Sequence, residues 1–128
     1  MQVNQTAVRT PLPRDVGALR ELQRNARRVA SLLKAMSNPA RLVILCQIAE
    51  GERSVGALER AVGLSQSSIS QHLAVLRGEA VVSSRRVRQT VLYSLASKEV
   101  VALMATLHAV FCHEVGNPKA TPARARNA

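Results

Sequence analysis

Apolar residues recur along most of this chain in steps of three and four, and along one stretch in steps of two. From Val16 to Met36 the positions Leu19, Leu22, Ala26, Val29, Leu33 and Met36 form a narrow seam, which predicts a helix. Arg20, Arg24, Arg27 and Arg28 occupy its other positions. Asn38-Pro39 reads as an N-cap followed by proline at the first helical position, and PARLVILCQIAEG predicts a mostly apolar core helix that stops at Gly51. Two shorter amphipathic segments follow between Ser54 and Ala80. The first carries Val55, Leu58 and Val62; the second carries Ile69, Leu73 and Leu76. Gly63 suits a position of positive φ after the first helix, and Ser65 can cap the second. Two helices joined so tightly predict a helix-turn-helix.

The period then changes. Val91, Tyr93 and Leu95 alternate with Thr90, Leu92 and Ser94, which signals a strand. Val81 to Arg86 is its expected partner, with Val87-Arg88-Gln89 at the turn and Arg85, Arg86 and Arg88 crowding the tip of the hairpin. Ser97 caps a last helix running to about Val115, with a broad stripe of Val100, Leu103, Met104, Leu107, Val110 and Phe111. Residues 1–15 hold Pro11 and Pro13 with little periodicity and are expected to be a flexible arm. Residues 116–128 are basic, short of apolar side chains and expected to be disordered. One domain, 16–115, remains: mainly α with a small β-hairpin, in the order α-α-α-α-β-β-α, a winged helix-turn-helix. The first seam could pack on the domain's own core. A dimer through the first and last helices is the favoured reading, because so small a domain offers two long terminal helices little to pack on.

Charge narrows the partners. Eighteen Lys and Arg against eight Asp and Glu leave a net charge of +10, which points to a polyanion, with nucleic acid ahead of an anionic membrane. Six basic residues and one acidic lie between Arg60 and Lys98, so the excess includes the helix-turn-helix half. No apolar run approaches a membrane span, and MQVNQTAVRTPLPRD lacks the apolar centre of a signal peptide, so a cytoplasmic protein without a membrane partner is expected. Only Tyr93 and Phe111 are aromatic, a poor endowment for stacking on single strands.

The second helix of the pair indicates what it touches. With Ile69, Leu73 and Leu76 turned inward, Ser67, Gln71 and Ala74 fall opposite, Ser68 and Ser70 flank them, and Gln66 lies at the N-terminal end. Such a surface can enter a major groove, where Gln pairs with adenine edges and Ser adapts to bases or phosphates. Alone it would read as an ordinary solvated face. The tight hinge and the basic hairpin, a wing suited to phosphates or the minor groove, reverse that judgement.

The segments LKAMSNPARLVILCQIAEGERSVGAL and LSQSSISQHLAVLRGEAVVSSRRVRQTVLYSL, within residues 18–115, resemble the ArsR/SmtB family of bacterial winged-helix repressors. The resemblance implies a homodimer on double-stranded operator DNA that lets go when an inducer binds. It places Gln66, Ser67, Ser68, Gln71 and His72 on or beside the recognition surface, and Arg85, Arg86 and Arg88 in the wing, which has Val87 where many relatives have glycine. Metal-sensing members carry paired cysteines at the start of the first helix of the helix-turn-helix, where this chain has Ala57-Leu58-Glu59-Arg60-Ala61. Others carry Asp-x-His early in the last helix, where it has Ser97-Lys98-Glu99-Val100-Val101. Both departures argue against those metal sites, and no cofactor is expected.

Cys46 and Cys112, 66 residues apart, are similar in position to the dithiol of the BigR/SqrR-type repressors, which respond to sulfide-derived persulfides and oxidants. The resemblance implies free thiols in the DNA-bound form and a Cys46–Cys112 bridge in the released form. Closing so long a loop biases the chain by at most roughly 4 kcal/mol, or about a thousandfold if all of it fell on one state. The plainer reading is two unrelated core cysteines on apolar helices. A metal site built from His108, Cys112, His113 and Glu114 with a second chain, and a nucleoid-type architectural protein binding through charge alone, stay open as alternatives. An enzyme is not expected, since no glycine-rich phosphate loop or acid–base cluster appears.

Overall fold

The computed structural model describes residues 16–112, so the expected arm, the expected tail and residues 113–115 of the expected last helix lie outside the described residues. Two compact units divide between Ser31 and Leu32. Helix α1 spans Val16–Met36, with the predicted bounds. Its burial differs from the predicted seam. Leu32, Ala35 and Met36 are buried, whereas Val16, Leu19, Leu22, Val29 and Leu33 are exposed.

Helix α2 spans Pro39–Ala49, and Asn38 caps it by accepting a 3.1 Å hydrogen bond from the Arg41 N–H. Proline at the first position costs nothing there, because that N–H would have no helical partner. The Arg41 guanidinium donates from Nε to the Ala35 carbonyl, satisfying one of the orphan acceptors at the end of α1. Ile44, Leu45 and Ile48 form the buried face of α2.

Strand β1, Arg53–Ser54, runs into α3, Val55–Val62, and Ser54 Oγ caps that helix by accepting from the Ala57 N–H at 3.1 Å. Gly63 ends α3 at φ +83°, with its N–H donated to the Glu59 carbonyl at 2.9 Å. Ser65 Oγ accepts from the Ser68 N–H at 3.1 Å and opens α4, Gln66–Gly78. The helix-turn-helix therefore has the predicted hinge and the predicted cap.

Strands β2, Val82–Val87, and β3, Thr90–Leu95, pair antiparallel from Val82↔Leu95 to Val87↔Thr90. The turn is Arg88-Gln89, and the positive φ it needs, +59°, falls on Arg88. The hairpin is not alone, which corrects the two-stranded expectation. β1 pairs with the free side of β3, Arg53 opposite Tyr93 and Ser54 opposite Leu92, giving a three-stranded sheet in the order β1-β3-β2. Two residues are too few to show alternation, so only the open edge of β3 reveals them. Helix α5, Lys98–Phe111, begins on the Ser97 cap and has Cys112 as its C-cap.

One core joins these elements from Leu32 onward. Ile44, Leu45, Leu58, Ile69, Leu76, Val81 and Val100 are fully buried, with Leu73, Val82 and Met104 beside them. Truncating a side chain such as Leu73 to Ala there costs about 2–5 kcal/mol, which is enough to threaten a domain of this size. Among the described residues no buried polar side-chain atom lacks a partner, and no single helix is long and apolar enough to cross a membrane.

Candidate functional site

With Ile69, Leu73 and Leu76 committed to the core, α4 presents Gln66, Ser67, Ser70, Gln71 and Ala74 to solvent. Ser68 and His72 are half-buried on its shoulders. The exposed strip is narrow, polar and free of bulky groups, and the Ser65 cap fixes where it starts. Its N-terminal turn, where recognition helices meet base edges, carries Gln66 and Ser67.

The wing separates its three arginines. Arg85 faces Leu92 across the ladder, well before the turn, and is held in a two-pronged ion pair with Glu52. Its Nε donates to Oε2 at 2.7 Å and its Nη2 to Oε1 at 2.8 Å. The Arg85 guanidinium holds the Glu52 carboxyl below its ordinary value of 4.5, chiefly through those hydrogen bonds. Glu52 lies between α2 and β1, so the clasp ties the body of the domain to β2. Arg86 and Arg88 are exposed nearer the tip, Arg86 opposite Val91 and Arg88 in the turn itself. Sequence patterning grouped the three arginines and missed Glu52, because its partner is 33 residues away.

The cysteines are not core residues. Cys46 is exposed on the side of α2 away from Ile44, Leu45 and Ile48, and Cys112 is half-buried at the end of α5. Loss of hydration among its neighbours pushes the Cys46 thiol above its ordinary 9.0, and the negative charges of Cys112 and Glu50 push it the same way. The Cys112 sulfur is thus near enough for its charge to be felt at Cys46, although 66 residues separate them in sequence. Both are free thiols.

Beside Cys46 lies a half-open cavity of about 320 Å³ between α2, the end of β3 and α5. Its lining is mostly apolar, from Ala49, Leu95, Val101, Met104 and Ala105, with Glu50 and His108 as the polar members. Among the described residues no three His, Cys, Asp or Glu side chains gather as a metal site, and His113 and Glu114 lie outside those residues.

Residues 38–84 match the family model of the bacterial regulatory proteins of the arsR family. The transcriptional activator HlyU of Vibrio cholerae is 47% identical over 94 residues, covering 73% of this chain and 87% of the relative. Its reduced structure superposes with a TM-score of 0.69 at 46% identity, over 73% of this chain and 99% of that one. The transcriptional repressor BigR of Xylella fastidiosa superposes with a TM-score of 0.67 at 38% identity, over 73% and 96%. A homodimeric winged helix-turn-helix DNA-binding domain from Mycobacterium bovis, a possible ArsR-family regulator, matches with a TM-score of 0.63 at 28% identity, over 91% and 93%. The overall fold agrees with these relatives, and the chain belongs to the ArsR family of winged helix-turn-helix transcriptional regulators.

Proposed function

We propose that this regulator is a homodimeric repressor that releases its operator when Cys46 and Cys112 are bridged by a sulfide-derived persulfide or an oxidant. The observation that carries this reading is the thiol pair: Cys46 on α2 beside a cavity and Cys112 at the end of α5, both reachable from solvent, with the Cys112 charge felt at Cys46. The repressor sense follows BigR, whereas HlyU is named an activator.

Gln66, Ser67 and Gln71 meet base edges, Ser68 and His72 border them, and Arg86 and Arg88 bind phosphates from the wing. Arg85 reaches DNA only if Glu52 lets it go. The dimer is supported by the exposed apolar residues of α1 and by Val110 and Phe111 on α5, with Phe111 76% exposed. So much apolar surface on two elements calls for a cover, and the Mycobacterium bovis relative is a homodimer.

The switch chemistry balances. A cysteine thiolate attacks the terminal sulfur of a hydropersulfide R–S–SH, the S–S bond breaks, and RS⁻ leaves to take a proton from water. The second thiolate attacks the modified cysteine's own sulfur and expels HS⁻. Two thiols are oxidised to a disulfide, and the sulfane sulfur is reduced by two electrons to hydrosulfide. With a peroxide, the first product is a sulfenic acid and the second step expels water.

The test is intact mass and binding to a duplex selected from random sequence, measured together and anaerobically, before and after adding a hydropersulfide. A Cys46–Cys112 link with loss of two hydrogens or gain of sulfur, accompanied by DNA release, is expected. Cys46→Ser and Cys112→Ser should each bind DNA and fail to respond. An unchanged mass with DNA still bound, or a fully responsive single variant, would overturn the dithiol reading. Release by zinc from the reduced protein would put a metal sensor in its place.

A further inference from the structure

The cavity beside Cys46 is larger than the thiol chemistry needs. Transfer of one sulfur atom requires only an exposed sulfur, which Cys46 already offers. Yet about 320 Å³ of space adjoins it, roughly twice the ~150 Å³ of an apolar cavity that takes up benzene. Side chains from three elements line it, and Met104, one of its walls, is itself buried in the core.

The chemistry of the lining selects a class of ligand. Ala49, Leu95, Val101, Met104 and Ala105 offer no hydrogen-bonding side chain, so a polar group entering there would lose water without replacement. The titratable groups around Cys46 are Glu50, the cap residue that follows α2, His108 on α5 and Cys112, the cap residue that follows α5. Arg53 Nη2 stands 3.4 Å from a Glu50 carboxylate oxygen at the surface and offsets part of that charge, but it does not line the cavity. Loss of hydration is the main cause that raises the Cys46 thiol, and the negative charges of Cys112 and of Glu50, which lines the cavity, add to it. Negative charge beside an apolar hollow repels anionic carriers such as glutathione, which bears two carboxylates and one ammonium.

We propose that this cavity binds the organic group of a hydropersulfide donor, that the group it takes is apolar and uncharged, and that it presents the donor's terminal sulfur to Cys46. The inference deepens the dithiol reading and rests on it. Cys46 becomes the first thiol modified: its thiolate takes the sulfur, RS⁻ departs with a proton from water, and Cys112 then closes the bridge and expels HS⁻. Glu50 is a specificity residue. It keeps out anionic donors and slows Cys46 ionisation in the same stroke.

The experiment uses the reduced full chain under anaerobic conditions with benzyl hydropersulfide and glutathione hydropersulfide as donors. Rates of bridge formation are followed by intact mass, and each is divided by that donor's rate with the urea-unfolded protein. The benzyl donor should be faster by roughly tenfold, the lower end of electrostatic selection in a charged cleft. Glu50→Gln should narrow that ratio by raising the glutathione rate. Ala105→Leu and, from the opposite wall, Ala49→Leu should slow the benzyl donor and spare the other. Benzyl methyl sulfide, which transfers no sulfur, should shift the Met104 methyl resonance in the wild type and not in the filled variants. Equal normalised rates for the two donors, or filled variants as fast as wild type with the benzyl donor, would overturn the donor site while leaving the switch intact. Binding of the sulfide with no bridge from either donor would overturn the switch, and the donor role with it, leaving a plain apolar ligand cavity.

Discussion

Replacing Glu52 with Gln should make this protein bind DNA more tightly. The reason is the Arg85 clasp. Both prongs of the guanidinium are used, at 2.7 and 2.8 Å, on a carboxylate belonging to the body of the domain. While Glu52 is ionised, as it is at pH 7 with its carboxyl held below 4.5, Arg85 is neutralised in place and adds nothing to the wing's charge. The clasp's contribution to stability is present above the ordinary carboxyl value and is lost as pH falls through the lowered Glu52 value. Glu52→Gln leaves Arg85 as a free cation two strand positions before Val87, able to reach a phosphate. One added phosphate contact steepens the plot of log K against log salt by about 0.9, so a fourfold rise in salt, 50 to 200 mM, costs about 3.5-fold more affinity than in wild type. Fluorescence anisotropy across that salt range measures both intercept and slope. The double variant Glu52→Gln/Arg85→Ala must lose the added slope, which separates a released arginine from a mere change in net charge. Arg85→Ala in the otherwise native chain should leave the slope as it was, whereas Arg86→Ala should flatten it. If Arg85→Ala flattens it by about 0.9, Arg85 already contacts DNA and the reasoning fails.

Gly63→Ala and Ala80→Gly should move stability in opposite directions. Gly63 sits at φ +83° with open space where a Cβ would go, so its replacement costs about 1 kcal/mol of backbone strain alone, a fall in Tm of roughly 4–8 °C by calorimetry. Ala80 holds φ +60° just past α4, where glycine would relieve a strain of about 1 kcal/mol. Gln71→Ala should erode preference for the selected duplex over random DNA, a loss of about 1–3 kcal/mol of discrimination, and equal losses on both in competition anisotropy would count against base contact. Leu22→Asp combined with Phe111→Asp should give monomers by sedimentation with intact helical circular dichroism, and persistence of the dimer would remove those two faces from the interface. Because Cys46 is raised above 9.0 while the thiolate is the nucleophile, the rate of bridge formation should keep climbing past pH 9. Glu50→Gln should shift that rise to lower pH, and an unshifted profile would show that its charge is not felt at the sulfur.

The helical and strand patterns were legible in the sequence because burial imposes them. Ile69, Leu73 and Leu76 are inward on α4 for the same reason that Gln66, Ser67 and Gln71 are outward, and Asn38, Ser54, Ser65 and Ser97 each cap a helix through a local hydrogen bond. Local chemistry leaves local marks. The features that escaped are those made by residues distant in the chain. β1 exists because two residues reach the bare edge of β3, and the Glu52–Arg85 clasp joins positions that no window of sequence connects. The seam of α1 meets the core only at its end, through Leu32, Ala35 and Met36, and most of the predicted positions face outward, as a surface meant for a second copy would.

Helix α2 shows why Cys46 reads as core in the sequence and is not core in the fold. Its apolar residues go all the way round, which ordinarily marks a helix enclosed on every side. Here only Ile44, Leu45 and Ile48 are enclosed; Val43, at 47% exposure, and Cys46 are not. A solvated helix face has no need of valine and cysteine, so the apolar character of that side must serve something other than this chain's own core. The half-open cavity lined by Leu95, Met104 and Ala105 answers for Cys46, which lines it with them. Two residues past Glu50, which lines that cavity, Glu52 grips the wing through Arg85, and between them Gly51 turns at φ +152°. The thiol cavity and the wing's cation are therefore joined by one short loop, in addition to the core that α2 shares with the helix-turn-helix.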